Sequence, residues 1–218
     1  MGNDLVFRDD EAAKFREITG YYELSKELLI FGEQVHPQNK SFTQTINELR
    51  NCLDHIMRAT AFKLGLRKVE SEEGYVLKNL DKAYGHVYRA AYDTLDWVSI
   101  ILRERIRDEL QDFSLETIQA ALPDYFTLIK PRIEHLLSNE VTKLRNEKDV
   151  AAKSEQNLIS YTKVIAELKD LWQKVINALP ALAEAENRLK RSERRQLIRN
   201  IGVGVGVAII AFLLGRFI

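Results

Sequence analysis

Apolar positions recur every three or four residues along most of the chain, which is the spacing of one face of an α-helix. Asp9 is predicted to cap a first helix whose inward stripe includes Ile18 and Tyr22. Ser41 opens a capping-box pattern at the start of a second helix. The predicted long helices span about 9–32, 41–65 and 75–110. No segment competes as a strand, so the pattern predicts an all-α fold built as a bundle of long helices.

A second pattern, typical of coiled coils, covers the later part of the chain. Neither Gly nor Pro occurs between Pro131 and Leu179. Spacings of three and four alternate there along a heptad seam of Leu158, Tyr161, Ile165, Leu168, Trp172, Val175 and Leu179. Lys148 and Glu155 fall in the same frame and predict a bend or break near 147–155. The seam fits a hairpin packed within the bundle, or a stalk that associates with a second copy.

The last eighteen residues, 201–218, are apolar almost throughout, and no charge occurs from Ile201 to Gly215. As a helix they rise about 27 Å, close to the hydrocarbon thickness of a bilayer. This predicts a transmembrane tail anchor at 200–218, a basic juxtamembrane helix at 181–199 and a cytoplasmic bundle domain at 1–180. The alternative is a buried core helix. The anchor predicts a single-pass protein of the inner (cytoplasmic) membrane.

Two features of this region predict what it contacts. The basic residues before the apolar run are expected to bind lipid headgroups; they are Arg191, Arg194, Arg195 and Arg199. Gly202, Gly204 and Gly206 are small enough to let helices pack closely in lipid. They favour a homo-oligomer.

The amino-acid composition argues against DNA-binding, disulfide-rich and metal-binding proteins. Lys plus Arg and Asp plus Glu both number 32, and a net charge of zero argues against DNA binding by bulk attraction. Cys52 is the only cysteine, so neither a disulfide framework nor a thiolate metal cluster is expected. The four histidines lack the spacing of metal ligands, and no cofactor or metal is predicted.

The predicted second and third helices share the pattern H-x-x-R-A, at His55–Ala59 and His86–Ala90. On a helix, His and Arg three positions apart share a face, and Ala allows a neighbouring helix to approach. A hairpin would bring both pairs together in a polar cluster with adjacent acids. Its predicted members beside His55 are Asp54, Arg58, His86, Arg89 and Asp93.

One part of this region, Arg50-Asn-Cys-Leu-Asp-His55, has the form R-x4-H. It resembles the signature of the HEPN family, all-helical proteins that include metal-independent ribonucleases. The resemblance implies His55 as general acid–base, Arg50 as the group that stabilises phosphate charge, and Asn51 as an orienting residue. Together with the apolar tail, the chain is also distantly similar to membrane-embedded HEPN-like accessory proteins of RNA-targeting CRISPR systems.

Three functional hypotheses follow. The first is a membrane-anchored, self-associating helical effector that perturbs the inner membrane in antiviral or abortive-infection defence. The second is a membrane-tethered ribonuclease that uses Arg50, Asn51 and His55. The third is a tail-anchored coiled-coil scaffold. The expected partners are a second copy, the membrane, and a regulatory protein or RNA.

Overall fold

The computed structural model of the chain describes residues 5–146 and 155–215, and every regular element in those two ranges is helical. The predicted all-α class is therefore confirmed. The elements are α1 Asp9–Val35, α2 Thr43–Lys63, α3 Tyr75–Leu110, α4 Leu115–Ala121, the π-helical turn π1 Tyr125–Ile129, α5 Lys130–His135, a second such turn π2 Leu136–Val141, α6 Thr142–Asn146 and α7 Glu155–Gly215.

Helix α3 supplies much of the core. Its inward face carries Leu80, Val87, Leu95 and Leu102, none of which is exposed to solvent. Complete burial of such aliphatic side chains stabilises a fold by about 1.5–3 kcal/mol each. The sequence predicted this helix at 75–110, and the structure has it at Tyr75–Leu110.

Three local predictions near the start of the chain are wrong. Asp9 does not cap α1, because it is the first residue of the helix and Arg8 occupies the N-cap position. Tyr22 is 45% exposed, and the neighbouring Tyr21 contacts the tyrosines of α3 instead. Ser41 does not cap α2, because its hydroxyl donates to the carboxylate of Glu33 and the helix begins at Thr43 without a side-chain cap. The four-residue capping pattern does not include Glu33, eight residues earlier, which accepts the hydrogen bond of the Ser41 hydroxyl.

The heptad seam of α7 packs against the chain itself. Leu158, Tyr161, Ile165, Leu168 and Val175 are at most 3% exposed. This favours the interpretation as part of the bundle, because these side chains are no longer accessible to a second copy. The break predicted near 147–155 lies outside the described residues except for Glu155, where α7 begins. From there the helix runs to Gly215 with Pro180 in its interior.

The chain divides into two compact units. The first comprises Met1–Ile106 and Arg132–Trp172, and the second comprises Arg107–Pro131 and Gln173–Ile218. Across residues 5–146 and 155–215, none of the helices has both the length and the apolar character needed to cross a membrane. The last three residues of the predicted anchor, 216–218, lie outside the described ranges.

Candidate functional site

Helices α2 and α3 form an antiparallel pair within the first unit. Thr45 bonds to Thr94 at one end, with 2.8 Å between the hydroxyl oxygens. At the other end the rings of Phe62 and Tyr75 lie 5.1 Å apart. Between them Ala59 is completely buried on α2, which allows the two helices to approach closely.

The two histidines of the repeated H-x-x-R-A pattern meet in this interface. The rings of His55 and His86 are stacked with centroids 5.4 Å apart and planes inclined by 17°. Around them lies a group of polar residues that we call the seam cluster: Glu48, His55, Asn79, His86 and Arg89. Its members come only from α2 and α3.

Glu48 is the acidic member of the seam cluster, and its side chain is 12% exposed. One carboxylate oxygen lies 2.7 Å from Nδ1 of His86 and 3.2 Å from Nε of Arg89. Because a carboxylate only accepts hydrogen bonds, Nδ1 of His86 carries the hydrogen. The guanidinium nitrogen of Arg89 that lies 2.9 Å from the same Nδ1 is therefore a close neighbour and not its donor.

His55 is oriented by a different partner. Its Nδ1 lies 3.1 Å from Oδ1 of Asn79, whose amide nitrogen donates to the carbonyl of Tyr75 at 2.9 Å. The hydrogen bond from Asn79 to the Tyr75 carbonyl fixes the orientation of the amide, so that Oδ1 accepts from His55. The hydrogen is thus on Nδ1, which leaves Nε2 able to accept a proton.

The pKa of Glu48 is lower than that of an ordinary glutamate. Burial alone would raise it, but the hydrogen bonds from His86 and Arg89 and the charges of both side chains together lower it. A carboxylate with a lowered pKa stabilises the folded state above the unfolded pKa of 4.5, and this contribution is lost as the pH falls towards the folded value.

We therefore expect Glu48→Gln to reduce the free energy of unfolding at neutral pH and to lose less stability than the wild type on acidification. The difference in free energy of unfolding between the two proteins should narrow as the pH falls below 4.5, because protonated Glu48 and the glutamine that replaces it are both neutral. Urea unfolding measured at several pH values tests this. A gap that stays constant down to the acid limit would contradict the assigned role of Glu48.

The remaining predicted site residues lie elsewhere. Arg58 pairs with Asp54 at 2.6 Å, and both side chains are about half exposed. Arg50 is exposed and donates to Oδ1 of Asn51 at 3.3 Å. Positions 50 and 55 point in directions about 140° apart on the helix. Within the described part of the chain, Arg50 and His55 therefore do not converge. Asp93 is half-buried one turn beyond Arg89.

Two members of the seam cluster, Glu48 and Asn79, were missed by the sequence analysis. Glu48 precedes His55 by seven residues, and Asn79 precedes His86 by the same number. Seven residues are close to two helical turns, so each lies on the face of its own histidine. The pairing is reciprocal, because Glu48 of α2 contacts His86 of α3 and Asn79 of α3 contacts His55 of α2.

A separate surface in the second unit is formed by the last part of α7. Ile201, Val203, Val205, Val207, Ile210 and Phe212 are each 53–68% exposed. We call residues 201–212 the apolar segment. At about 100° per residue these six side chains fall on two opposite sides of the helix, and both sides are exposed at the described positions. The predicted headgroup-binding residues Arg191, Arg194, Arg195 and Arg199 are also exposed.

The glycines of this segment stand open. A methyl group added at Gly202, Gly204 or Gly206 would meet no other atom within 4 Å. Gly202 and Gly206 share one side of the helix, and Gly204 lies opposite.

Comparisons of the chain with protein-family models, with curated proteins and with solved structures give no match.

Proposed function

We propose that this chain is a membrane-anchored helical protein whose apolar segment inserts into a lipid bilayer. The observation that carries the proposal is the exposure of six large apolar side chains on opposite sides of α7. A helix that is apolar all round is normally surrounded by other apolar groups. Within residues 5–146 and 155–215 these six side chains stay exposed, and lipid or neighbouring copies would supply their surroundings.

The basic residues before the apolar segment support an insertion from one side. Arg191, Arg194, Arg195 and Arg199 are exposed within two to three turns of Ile201. Each such cation near an anionic lipid surface contributes about 1 kcal/mol of attraction. The positive flank would remain with the headgroups on the cytoplasmic side while the apolar segment enters the hydrocarbon.

Self-association is the second part of the proposal. Gly202 and Gly206 carry no side chain and share one side of the segment, and small residues at this spacing let a second helix approach closely in lipid. The heptad seam is buried within the chain, so the apolar segment is the better candidate for contacts between copies. An effector role in antiviral defence stays a prediction from the sequence.

The ribonuclease hypothesis has less support. Asn79 orients His55 as a general base requires. Arg50, however, is exposed on another side of α2, so a cleft that combines His55 with Arg50 would need the Arg50 of a second copy.

The membrane proposal is tested by placing two charges on one side of the apolar segment. An Asp at the centre of a membrane helix costs about 2.5–3.5 kcal/mol. The double variant Val203→Asp/Val207→Asp should therefore bind vesicles of phosphatidylcholine and phosphatidylglycerol at least about 100-fold more weakly than the wild type. Co-flotation of the full chain with vesicles measures this.

Leu115→Asp is the matched control, because Leu115 is 67% exposed and lies at the first position of α4, where an acid is favourable. It should bind vesicles as the wild type does. Equal flotation of the Val203→Asp/Val207→Asp protein would overturn the proposal.

A further inference from the structure

A groove of about 840 Å³ runs along the first unit between α1 and α7, with a side chain of α3 also lining it. Its volume lies within the range of small-molecule sites. The α1 residues along it extend from Lys14 to Leu24, a distance of about 15 Å on a helix. The groove is separate from both the seam cluster and the apolar segment.

The walls of this groove are mostly apolar. They include Tyr21, Leu24, Tyr84, Leu158, Ile159 and Ala166. Tyr21 and Tyr84 meet edge to face with ring centroids 5.4 Å apart. Burial and the adjacent Tyr21 hydroxyl hold the pKa of Tyr84 well above its usual range, so the tyrosine adds no negative charge. An elongated trough with such walls fits a linear hydrocarbon chain.

The charges along the groove are predominantly positive. Lys14 is engaged by Glu17 at 2.7 Å and lies 4.7 Å from the centroid of the Tyr84 ring. Arg16 and Lys163 also line the groove, and neither forms an ion pair within the ranges that the structure describes. Two cations without an ion-pair partner among the described residues lie beside an apolar trough, and they are complementary to an anionic head group.

A glycine keeps part of the groove open. Gly20 lines it from the interior of α1, and a methyl group added there would meet no atom within 4 Å. Glycine inside a helix costs about 1 kcal/mol relative to alanine. At this position no neighbour within 4 Å of the added methyl group requires the residue to be glycine. The space above Gly20 is therefore available to a bound molecule.

We propose that this groove binds a linear amphiphile with an anionic head, its hydrocarbon chain lying against Tyr21 and Tyr84 and its head near Arg16 and Lys163. The site does not depend on the membrane proposal, since none of its residues belongs to the apolar segment. The same chemistry is available from a free fatty acid or from an anionic phospholipid.

Photo-crosslinking with a diazirine derivative of palmitic acid tests the site in the full chain. We expect labelling of tryptic peptides from residues 14–24 and 158–166 in the wild type. Gly20→Leu fills the trough and should lower this labelling at least about tenfold without lowering thermal stability. Gly85→Leu is the matched control, because Gly85 also has no neighbour within 4 Å and does not line the groove.

The contribution of charge is tested separately. Arg16→Gln/Lys163→Gln should weaken labelling about tenfold, whereas Lys26→Gln/Lys174→Gln, which neutralises two exposed lysines away from the groove, should not.

A diazirine derivative of hexadecylamine should label the groove less than the acid does. A parallel arm with diazirine phosphatidylglycerol in vesicles distinguishes a bilayer source from a free one, and groove labelling by either probe supports the site.

Three results would overturn the proposal: labelling that is unchanged by Gly20→Leu, equal labelling by the acid and the amine, or no labelling of either groove segment by either anionic probe. Loss of vesicle binding in the Val203→Asp/Val207→Asp protein with intact groove labelling would separate the two proposals. If Gly20→Leu fails to fold, the charge variants decide the question.

Discussion

Gly32→Ala is expected to destabilise the protein by about 1–3 kcal/mol, although alanine is the better helix former. A Cβ atom at Gly32 would lie 2.2 Å from Cζ3 and 2.8 Å from Cε3 of Trp97. The indole cannot simply rotate away, because it is stacked on Phe42 at 5.5 Å and faces His36 at 6.1 Å. Chemical denaturation of both proteins measures the difference.

Gly20→Ala is the internal control for this result. Both glycines belong to α1, but only Gly32 has neighbours within 4 Å of the added methyl group. Gly20→Ala should therefore raise the free energy of unfolding by about 0.5–1 kcal/mol. If both variants change the free energy of unfolding in the same direction, contact with Trp97 does not determine the stability of Gly32→Ala.

Lys63→Met is expected to destabilise the protein by about 3 kcal/mol. The Glu11 side chain is only 3% exposed and pairs with the ammonium group of Lys63. Its carboxylate also accepts from the backbone nitrogen of Arg8 at 2.9 Å. Lys63 further donates to the carbonyl of Val6 at 2.9 Å. Without the lysine, the buried carboxylate would lose its closest cation and keep the more exposed guanidinium of Arg8, whose Nε lies 3.3 Å away.

The double variant Glu11→Gln/Lys63→Met should be less destabilised than Lys63→Met alone, because it removes the buried charge together with its partner. Lys26→Met serves as the control for loss of an exposed lysine on α1 and should change stability by less than about 0.5 kcal/mol. If Lys63→Met behaves like Lys26→Met in urea unfolding, the pair with Glu11 is not a significant source of stability.

Helix bounds and ion pairs could be predicted from the sequence where they depend only on residues of one helix. The apolar periodicity placed α3 at its observed bounds. Ser114 caps α4 in the same local way, because its hydroxyl accepts from the backbone nitrogen of Thr117 at 3.1 Å. The Asp54–Arg58 pair also follows from a spacing of four residues.

Contacts between helices were predictable only in part. The repeated H-x-x-R-A pattern brought His55 and His86 together correctly, because the alanines mark the face on which each helix packs. Glu48 and Asn79 were not predicted, since their importance depends on the register between α2 and α3. The contact of Gly32 with Trp97 joins positions 65 residues apart in the chain, and no local pattern indicates it.

The reciprocal pairing of Glu48 with His86 and Asn79 with His55 has a consequence for the peptide that joins the two helices. Because these side chains fix the alignment from within the interface, the joining stretch after Lys63 contributes little to it. Leu66 in that stretch is 78% exposed. The connection between α2 and α3 is therefore a suitable place for insertion of an epitope or a fluorescent label, or for a new chain terminus, without disturbing the alignment of the helices.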